Sequence, residues 1–506
     1  MPFNSIFSWI IKKRIHQIDL FKKYPLDVQK ELLLKLIHDA QTTEWGRKYN
    51  YNQLTDYQSF KSAVPLQDYT SLKPWVDRML NGEQQLLWHS EIKWFAKSSG
   101  TTADKSKFIP VSKESLEECH YKAGKDLLSI HMNNFPDSKL YKGKTLVVGG
   151  SAQSYQLGKE GYFGDLSAII VKNLPFWVEM RRTPSREIAL MSDWEKKLEK
   201  MVETTIHEDV AILVGVPSWT LVLLNRILEV TGKKDIKEVW PNLELFMHGG
   251  VKFEPYRNEF NKIISGNMRY VESYNASEGF FGIQDLPDSN ELLMMLDYGI
   301  FFEFIPMRSF KGVDSTDIID LSDVEPDVDY ALVISTNGGL WRYIIGDTVR
   351  FSSTSPYRFY ITGRTTQFIN AFGEELIVAN TDQAIGIACE QTHTQIRDYT
   401  AAPYYMTNTS GGGHEWLIEF VNPPDDIEKF ITVLDDTLKT LNSDYEAKRA
   451  GNIALYRPVI HILPKGGFDS WLKLKGKLGN QHKVPRLSNE RIIIEEIKEL
   501  CQVVEL

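Results

Sequence analysis

A chain of 506 residues is too long for one compact core, so its length predicts two or three domains. Hydrophobic residues make up 42% of the chain and charged residues 25%, which is typical of a soluble globular protein. The formal charge of −9 argues against a broad surface for nucleic acid.

The three cysteines and the hydropathy pattern further limit the class of protein to which the chain can belong. Cys119, Cys389 and Cys501 form no CxxC pair, which argues against a disulfide framework or a zinc site and fits a reducing compartment. No window of the sequence approaches the roughly 18 apolar residues that span a bilayer. The N-terminal run, with its basic cluster at 12–14, is a membrane-surface segment or an amphipathic helix packed on the core. The second interpretation is favoured, and the sequence predicts a cytoplasmic protein.

Hydrophobic periodicity predicts helices first and α/β layers afterwards. Periodic apolar positions predict that residues 1–95 are helical. From there, short apolar runs at 144–150, 209–216, 243–250 and 299–306 predict strands, and 218–232 predicts a helix that ends at Gly232. This alternation predicts α/β layers in which loops at strand ends carry the chemistry.

The last third of the chain has a different pattern. Runs at 330–336, 340–351 and 357–364, joined by Gly, Asn and Pro turns, predict an antiparallel or barrel-like piece. After Gly373, a strand, a helix and a further strand predict a smaller α+β domain over 374–506.

Hydroxyl groups surround a glycine in the run SSGTTADKSKFIP, residues 98–110. The residues concerned are Ser98, Ser99, Gly100, Thr101 and Thr102, followed by Lys105 and Lys107. Such a run can wrap a polyphosphate, because glycine lets the backbone approach and the amides and hydroxyls donate hydrogen bonds. The phosphate loop of kinases needs a lysine directly after its second glycine, and this register is absent. The alternative is an ordinary turn.

The segment VESYNASEGFFG, residues 271–282, combines an aromatic, a hydroxyl and a carboxylate. Tyr274 can stack a flat base, Ser277 can donate to phosphate, and Glu278 can hold Mg²⁺, which prefers carboxylate and phosphate oxygens. The alternative is a strand followed by a tight turn.

Acidic and basic groups also stand together in WRYIIGDTVRF, residues 341–351. Asp347 is suited to accept hydrogen bonds from two ribose hydroxyls, and Arg342 and Arg350 to offset phosphate charge. The alternative is a β-hairpin with a Gly-Asp turn.

Two further segments carry candidate cations. The first is ITGRTTQFINAFGEEL, residues 361–376, in which Arg364 can donate two hydrogen bonds to phosphate oxygens. The alternative is a surface strand followed by a turn. Near the C-terminus, Lys483 precedes Pro485, which stiffens the chain and helps to position the ammonium group. An isolated histidine such as His248 is more often structural than a substrate contact.

Together and in this order, SSGTTADKSKFIP, YNASEGFFG, WRYIIGDTVRF and NQHKVPR resemble the auxin-responsive (Gretchen Hagen) acyl acid amido synthetase family. That family belongs to the adenylate-forming superfamily of acyl-CoA synthetases, luciferases and adenylation domains. The resemblance spans nearly the whole chain. It implies a large N-terminal domain over 1–373, with a β-barrel and two helix-flanked sheets. It also implies a small, mobile α+β domain over 374–506, with the hinge at about 364–378.

The resemblance also implies a role for each candidate residue. The ATP phosphate loop is Ser98, Ser99, Gly100, Thr101 and Thr102. In the second motif Tyr274 stacks adenine, Ser277 contacts phosphate and Glu278 binds Mg²⁺. Asp347 binds ribose and Arg364 lies at the hinge. Lys483 is the lysine of the C-terminal domain that reaches the active site.

The sequence departs from the family at two places. Plant members commonly have a lysine near the position of Glu374 and Glu375, and the segments expected to line the acyl pocket match no known specificity class. The activity class therefore carries over better than the substrate.

The activity implied is an AMP-forming acid–amino acid ligase that uses ATP and Mg²⁺. Its partners are a carboxylic acid and an amine, most simply an amino acid, with no nucleic acid and no membrane, and the chain is expected to be a monomer or weak homodimer. Two alternatives stay open: an acid–thiol ligase that uses coenzyme A, and a non-catalytic binding protein on the same fold.

Overall fold

The computed structural model describes residues 2–99, 106–149, 155–157, 161–407, 411–452, 454–475, 484–501 and 503. Four candidate site residues lie outside these ranges: Gly100, Thr101, Thr102 and Lys483. Ser99 is described by its backbone alone. The expected α/β architecture, with a large N-terminal and a smaller C-terminal domain, is confirmed.

Helices come first along the chain, as the periodic apolar residues predict. They are α1 (Pro2–Lys23), α2 (Pro25–Ala40), α3 (Glu44–Lys48), α4 (Tyr57–Ala63) and α5 (Tyr69–Leu80). Arg14, from the basic cluster of α1, is buried and donates to Asp126 at 2.7 Å and to Asp297 at 2.6 Å. Helix α1 is thereby fixed to the interior of the domain, in agreement with the favoured interpretation. None of the described helices is long and apolar enough to cross a membrane.

Strands and helices alternate from residue 94 to residue 263. They are β1 (Trp94–Ser99), β2 (Ser106–Val111), α6 (Tyr121–Asn134), β3 (Lys144–Val148), β4 (Tyr155–Leu157), β5 (Gly161–Gly164), α7 (Leu166–Asn173), α8 (Phe176–Glu179), β6 (Arg182–Thr183), α9 (Arg186–Ala189), α10 (Trp194–Thr205), β7 (Val210–Gly215), α11 (Pro217–Thr231), β8 (Leu245–Gly249) and α12 (Glu254–Ile263). The strands predicted at 144–150, 209–216 and 243–250 are β3, β7 and β8, and the predicted helix is α11.

A run of strands follows with few helices between them. They are β9 (Arg269–Ala276), β10 (Gly279–Ile283), β11 (Leu292–Met294), β12 (Ile300–Pro306), β13 (Ile319–Asp320), β14 (Asp329–Thr336), β15 (Tyr343–Thr354), β16 (Tyr357–Arg364), β17 (Phe368–Ile369) and β18 (Leu376–Ile377). The predicted antiparallel piece is confirmed, because β14, β15 and β16 pair in antiparallel order.

One 12-stranded sheet crosses the large domain in the order β13-β12-β14-β15-β16-β11-β10-β9-β8-β7-β3-β6. From β6 to β9 the neighbours are parallel, and from β9 onward they are antiparallel. The carboxyl ends of β7, β8 and β9 therefore open at one edge of the sheet, where its topology changes. In α/β sheets such a change point is the usual ligand crevice.

The C-terminal domain holds a three-stranded sheet in the order β19-β20-β21. Its elements are α13 (Val378–Gln391), β19 (Gln395–Tyr404), β20 (Gly413–Asn422), α14 (Ile427–Leu441), α15 (Ser443–Arg449), β21 (Val459–Ile462), α16 (Gly467–Leu474) and α17 (Ile492–Cys501). The predicted strand at 454–463 is shorter than expected, since Pro458 has no amide hydrogen to pair. A buried apolar cluster that includes Trp219, Phe372 and Trp416 extends from the large domain into the small one.

Candidate functional site

Two side chains from separate strands meet at the Asp347 carboxylate of β15. The Tyr274 hydroxyl of β9 donates to Asp347 Oδ2 at 2.5 Å, and Arg364 Nε of β16 donates to Oδ1 at 3.0 Å. Burial, together with the Asp347 charge, raises the pKa of Tyr274 well above its ordinary value, so the phenol keeps its proton. Each carboxylate oxygen has two lone pairs, and Asp347 can therefore still accept hydrogen bonds from a ligand.

The bond between Tyr274 and Asp347 requires a strongly curved sheet. Three strands, β16, β11 and β10, lie between β15 and β9. Adjacent strands are about 4.8 Å apart, so β15 and β9 would be about 19 Å apart in a flat sheet. The two side chains meet only because the sheet bends toward itself. The β-barrel implied by the family resemblance stays a prediction.

The β9–β10 turn carries the predicted magnesium ligand. Ser277 and Glu278 are the two residues between the strands, so the tight turn and the acidic group are one feature. The Glu278 side chain is partly exposed. Desolvation by the surrounding protein raises its pKa to about 7, with the charge of Lys107 acting in the opposite direction. The turn thus presents a carboxylate that a cation would stabilise.

The Ser/Thr-rich run connects the strands of a β-hairpin. Strands β1 and β2 are antiparallel, with Ser98 opposite Lys107. The Lys107 ammonium lies 5.9 Å from the centroid of the Tyr69 ring, and its charge acts on Glu278. The base of the hairpin is therefore next to the β9–β10 turn. Because the tip residues lie outside the described ranges, their binding of phosphate stays a prediction.

The chain that follows Lys483 is anchored beside the end of β16. The Arg486 amide donates to Gln367 Oε1 at 2.7 Å, and the Asn370 amide donates to Asn489 Oδ1 at 2.8 Å. These bonds join the two segments that carry the candidate hinge arginine and the candidate lysine. The approach of the Lys483 side chain to the site stays a prediction.

Glu374, where the sequence departs from plant members, is a fully buried carboxylate in the linking segment. Burial raises its pKa, but hydrogen bonds outweigh that effect and leave the pKa below its ordinary value. The partners are His414 Nε2 at 2.8 Å and the backbone amides of Ala371 and Phe372 at 3.1 and 2.6 Å. Glu374 thus holds the segment 371–374 to β20.

The structure corrects the interpretation of Asp347 as a strand-end or hairpin-turn residue. Strand β15 continues through Asp347, whose backbone is opposite Arg364, and the turn to β16 comes at 355–356. Gly346 has φ of +97°, a left-handed conformation that favours glycine. A bend inside a strand, not a turn, gives Asp347 its position.

Arg342 and Arg350 are not free to neutralise phosphate, contrary to the sequence interpretation. Arg342 is buried and pairs with the buried Glu303 at 2.8 Å. Arg350 pairs with Asp329 at 2.7 Å at a half-exposed position. Both arginines of this motif therefore serve the fold.

His248 fits the structural interpretation. Its ring is buried and stacks on Phe253, with centroids 4.2 Å apart. Burial lowers the pKa of His248 to about 3, so the ring is neutral at physiological pH.

Two tyrosines that no motif argument singled out belong to the same cluster. Tyr69 receives a hydrogen bond from the Phe108 amide at 2.8 Å, and Tyr343 lies near Tyr69, Glu278 and other charges of the site. Only Tyr343 had a signal in the sequence. Its even spacing from Asp347 on a strand predicts the same face of the sheet.

The donor set fits a magnesium ion that arrives with a nucleotide. The described residues contain no group of three or more His, Cys, Asp or Glu side chains placed to hold a metal. Mg²⁺ commonly takes one or two carboxylates and completes its shell with water and substrate phosphates. The single carboxylate of Glu278 matches that arrangement.

Charged side chains of both domains interact beside β1. Asp444 and Lys448 of α15 face Lys97 of β1 and Asp165, which precedes α7, and all four are partly exposed. Burial raises the pKa of Asp165 and of Asp444, and the lysines oppose it. This charged cluster therefore contains both acidic and basic groups.

Family models match the chain along almost its entire length. The GH3 family N-terminal domain matches residues 14–268, the central domain 293–364 and the C-terminal domain 379–492. The chain belongs to the GH3 family. This confirms the resemblance found in the four motifs.

Two plant relatives match this GH3 chain over most of its length. The indole-3-acetic acid-amido synthetase GH3.3 of Arabidopsis thaliana is 23% identical, with 92% of this chain and 90% of the relative aligned. The jasmonoyl-L-amino acid synthetase GH3.5 of Oryza sativa subsp. japonica is 24% identical, with 94% and 95% aligned.

Solved structures share the fold. The GH3.15 acyl acid amido synthetase has a TM-score of 0.59 at 19% identity, over 95% of this chain and 94% of its own. A 2-hydroxyisobutyryl-CoA ligase has a TM-score of 0.56 at 11% identity, over 94% and 91%. The chain therefore has the fold that these two enzymes share.

Proposed function

We propose that this GH3 protein is an ATP-dependent acyl acid amido synthetase. It converts a carboxylic acid and ATP to an acyl-adenylate and pyrophosphate, and then transfers the acyl group to an amino acid with release of AMP. The observation that carries the proposal is the Asp347 carboxylate, which Tyr274 and Arg364 hold near the Glu278 turn. The names of its amido synthetase relatives support the same activity.

The first half-reaction asks the protein for positioning and charge neutralisation. A carboxylate oxygen of the acid bonds to the α-phosphorus, and the bond from that phosphorus to the pyrophosphate oxygen breaks. Asp347 would hold the ribose hydroxyls, and Glu278 would hold Mg²⁺, whose charge would offset that of the phosphates. The hydroxyls and amides of the loop from Ser98 to Thr102 grip the phosphates, Ser277 adds a donor, and Tyr274 packs beside the adenine. Arg364 and Lys483 supply positive charge.

The second half-reaction needs a site for the amine. We place the amino acid at the charged cluster beside β1, where Asp165 and Asp444 suit its ammonium group and Lys97 and Lys448 suit its carboxylate. The amine nitrogen loses a proton and bonds to the acyl carbon as the bond to AMP breaks. The domains are divided near 364–378, so rotation there would exchange the groups that face the acyl-adenylate between the two steps. We further propose a cytoplasmic monomer or weak homodimer that uses neither nucleic acid nor membrane.

The function is tested by ATP–pyrophosphate exchange with a panel of carboxylic acids, since exchange reports the first half-reaction without knowledge of the acceptor. Acid-dependent exchange is the expected result. Amines and coenzyme A are then compared as acceptors for the active acid. Turnover with thiols alone would make the protein an acid–thiol ligase, and absence of ATP binding by calorimetry would make it a non-catalytic protein.

Asp347→Asn is expected to raise KM for ATP about 10- to 100-fold, because hydrogen bonds to a charged group are worth about 1.5–3 kcal/mol. Steady-state exchange at varied ATP measures the change. Asp329→Asn is the matched control, since it removes a carboxylate of the neighbouring strand whose partners are Arg350 and Thr362. An unchanged KM in Asp347→Asn would remove the ribose-binding role.

Lys483→Ala is expected to lower acid-dependent pyrophosphate release about 100-fold, the effect of removing one positioned charge in an active site. Lys473→Ala, an exposed lysine of α16, is the control and should keep the wild-type rate. If Lys483→Ala also keeps that rate, the assignment of this lysine is wrong.

A further inference from the structure

Tyr343 is a buried phenol whose hydroxyl has no hydrogen-bond partner in the part of the chain that the structure describes. Most buried polar side chains are paired, since an unpaired one loses its bonds to water without replacement. Among the described residues, no hydrogen bond compensates this hydroxyl for its lost contact with water. Such a group at a candidate site points to a ligand that completes its bonding.

The backbone around Tyr343 is firmly fixed. One edge of its strand pairs with Gln67. The Gln67 amide donates to the carbonyl of the preceding residue, Arg342, at 2.9 Å, and the amide of the following residue, Ile344, donates to the Gln67 carbonyl at 2.8 Å. Strand β14 pairs with the other edge, where Ile334 is opposite Tyr343. The backbone of Tyr343 is therefore held from both edges of its strand, and the side chain is fully buried.

The charges that act on the hydroxyl locate it within the site. They are those of Glu278, Asp68 and Arg364. Arg364 belongs to the ribose side, where it binds Asp347, and Glu278 belongs to the magnesium side. In a nucleoside triphosphate the α-phosphate lies between the ribose and the phosphates that bind the metal. Charges of both sides act on Tyr343, which is consistent with a position near the α-phosphate between them.

We propose that the Tyr343 hydroxyl donates a hydrogen bond to a non-bridging oxygen of the nucleotide α-phosphate. The inference rests on the proposed adenylation and names a residue for the phosphate at which the reaction occurs. Because this phosphate is shared by ATP, the acyl-adenylate and AMP, the same bond holds all three. Burial raises the pKa of Tyr343 well above its ordinary value, so the group remains a neutral donor and transfers no proton.

Tyr343→Phe separates this role from a structural one. Without nucleotide, the variant should melt at the wild-type temperature or higher, since an unpaired buried hydroxyl has been removed. Affinity for AMP should fall about tenfold or more, as expected for a lost bond to a charged group. Affinity for adenosine, which lacks the phosphate, should be unchanged.

The control is Tyr121→Phe. Tyr121 has the other tyrosine hydroxyl that is buried without a partner among the described residues, and the charge that acts on it is that of Glu117. This variant should gain similar stability and bind AMP as the wild type does. Calorimetry with adenosine, with AMP and with ATP plus magnesium gives the affinities, and thermal unfolding without ligand gives the stabilities.

The inference is overturned if Tyr343→Phe binds AMP like the wild type, if it loses affinity for adenosine equally, or if its ligand-free protein is less stable. Each of these results leaves the proposed function intact when the wild type performs acid-dependent exchange. Absence of nucleotide binding by the wild type would instead overturn the proposed function and this inference with it.

Discussion

Glu278→Gln is expected to lower acid-dependent ATP–pyrophosphate exchange about 100- to 1,000-fold, with KM for magnesium raised. Glutamine keeps the size and the turn between β9 and β10 but carries no charge. The described residues contain no group of three or more His, Cys, Asp or Glu side chains that could hold the ion without Glu278. Exchange assays at varied magnesium measure both effects.

The matched control is Glu272→Gln in β9, the strand that leads into the turn. The pKa of Glu272 is also raised to about 7, by burial and by the Glu254 charge, with Arg257 and Lys252 acting in the opposite direction. Both glutamates are partly exposed. Removing the charge at Glu272 should leave exchange near the wild-type rate, which separates a metal ligand from a carboxylate that is merely desolvated.

The stability of the magnesium-free protein gives a second readout. The carboxyl pKa of Glu278 is about 7 in the folded state against an ordinary value of 4.5, so the folded state binds more protons between these values. Stability therefore decreases as pH rises from about 4.5 through about 7. The ionised carboxylate costs stability above that range, and Glu278→Gln should unfold at the wild-type temperature or higher at pH 8.

A variant that is both inactive and less stable at pH 8 would contradict this reasoning, because it would place Glu278 in the framework of the fold. A variant with wild-type exchange would remove the magnesium role. We expect lost exchange with retained stability. This pair of results would show that the Glu278 carboxylate is needed for activity and costs stability when no cation is bound.

The sequence predicted the elements near the site because their signals are local. The strand β8 and the helix α11 follow from apolar runs and, for α11, a terminal Gly232 in the left-handed conformation. The β9–β10 turn with Glu278 was predicted as well, since its residues are adjacent in the chain. Short-range patterns of this kind need no knowledge of the sheet order.

The bond between Tyr274 and Asp347 could not be predicted in the same way. The two residues are 73 positions apart in sequence and their strands are separated by three others. Their contact depends on the curvature of the whole sheet. The motifs identified both residues as candidates, but only the folded chain shows that one is the hydrogen-bond donor of the other.

The partners of Arg342 and Arg350 were also beyond the reach of sequence patterns. Each lies in a motif rich in charge, and the acidic residues they bind, Glu303 and Asp329, lie 39 and 21 positions earlier. Composition alone does not distinguish an arginine that neutralises phosphate from one that neutralises a buried glutamate. The difference is decided by burial, which depends on tertiary packing.

Arg342→Met is expected to destabilise the large domain by about 3–5 kcal/mol, because removal of one partner leaves a buried charge without compensation. Arg342 donates to both oxygens of Glu303 through Nε and Nη2, and its Nη1 donates to the carbonyls of Lys61 and Val64 at 2.9 and 2.7 Å. It thus joins α4 and the loop after it to β12 and β15. Urea unfolding followed by tryptophan fluorescence measures the loss.

Two further variants test the cause. Arg350→Met removes a half-exposed pair with Asp329 and should cost less than about 1 kcal/mol. Combining Arg342→Met with Glu303→Leu should recover much of the lost stability, because the unpaired buried carboxylate disappears with its partner. A double variant as unstable as the single one would mean that the carbonyl contacts of Arg342, not the ion pair, determine the effect.

Arg342→Met also distinguishes a role of this arginine in stability from a role in catalysis. If Arg342 only stabilises the domain, Arg342→Met should retain ATP–pyrophosphate exchange within a few-fold of wild type at a temperature where it is still folded. If the guanidinium neutralised phosphate, exchange would fall about 100-fold or more even in the folded variant. Retained exchange at low temperature with early loss on heating is the expected result, since the nitrogens of Arg342 are already occupied by Glu303 and by backbone carbonyls.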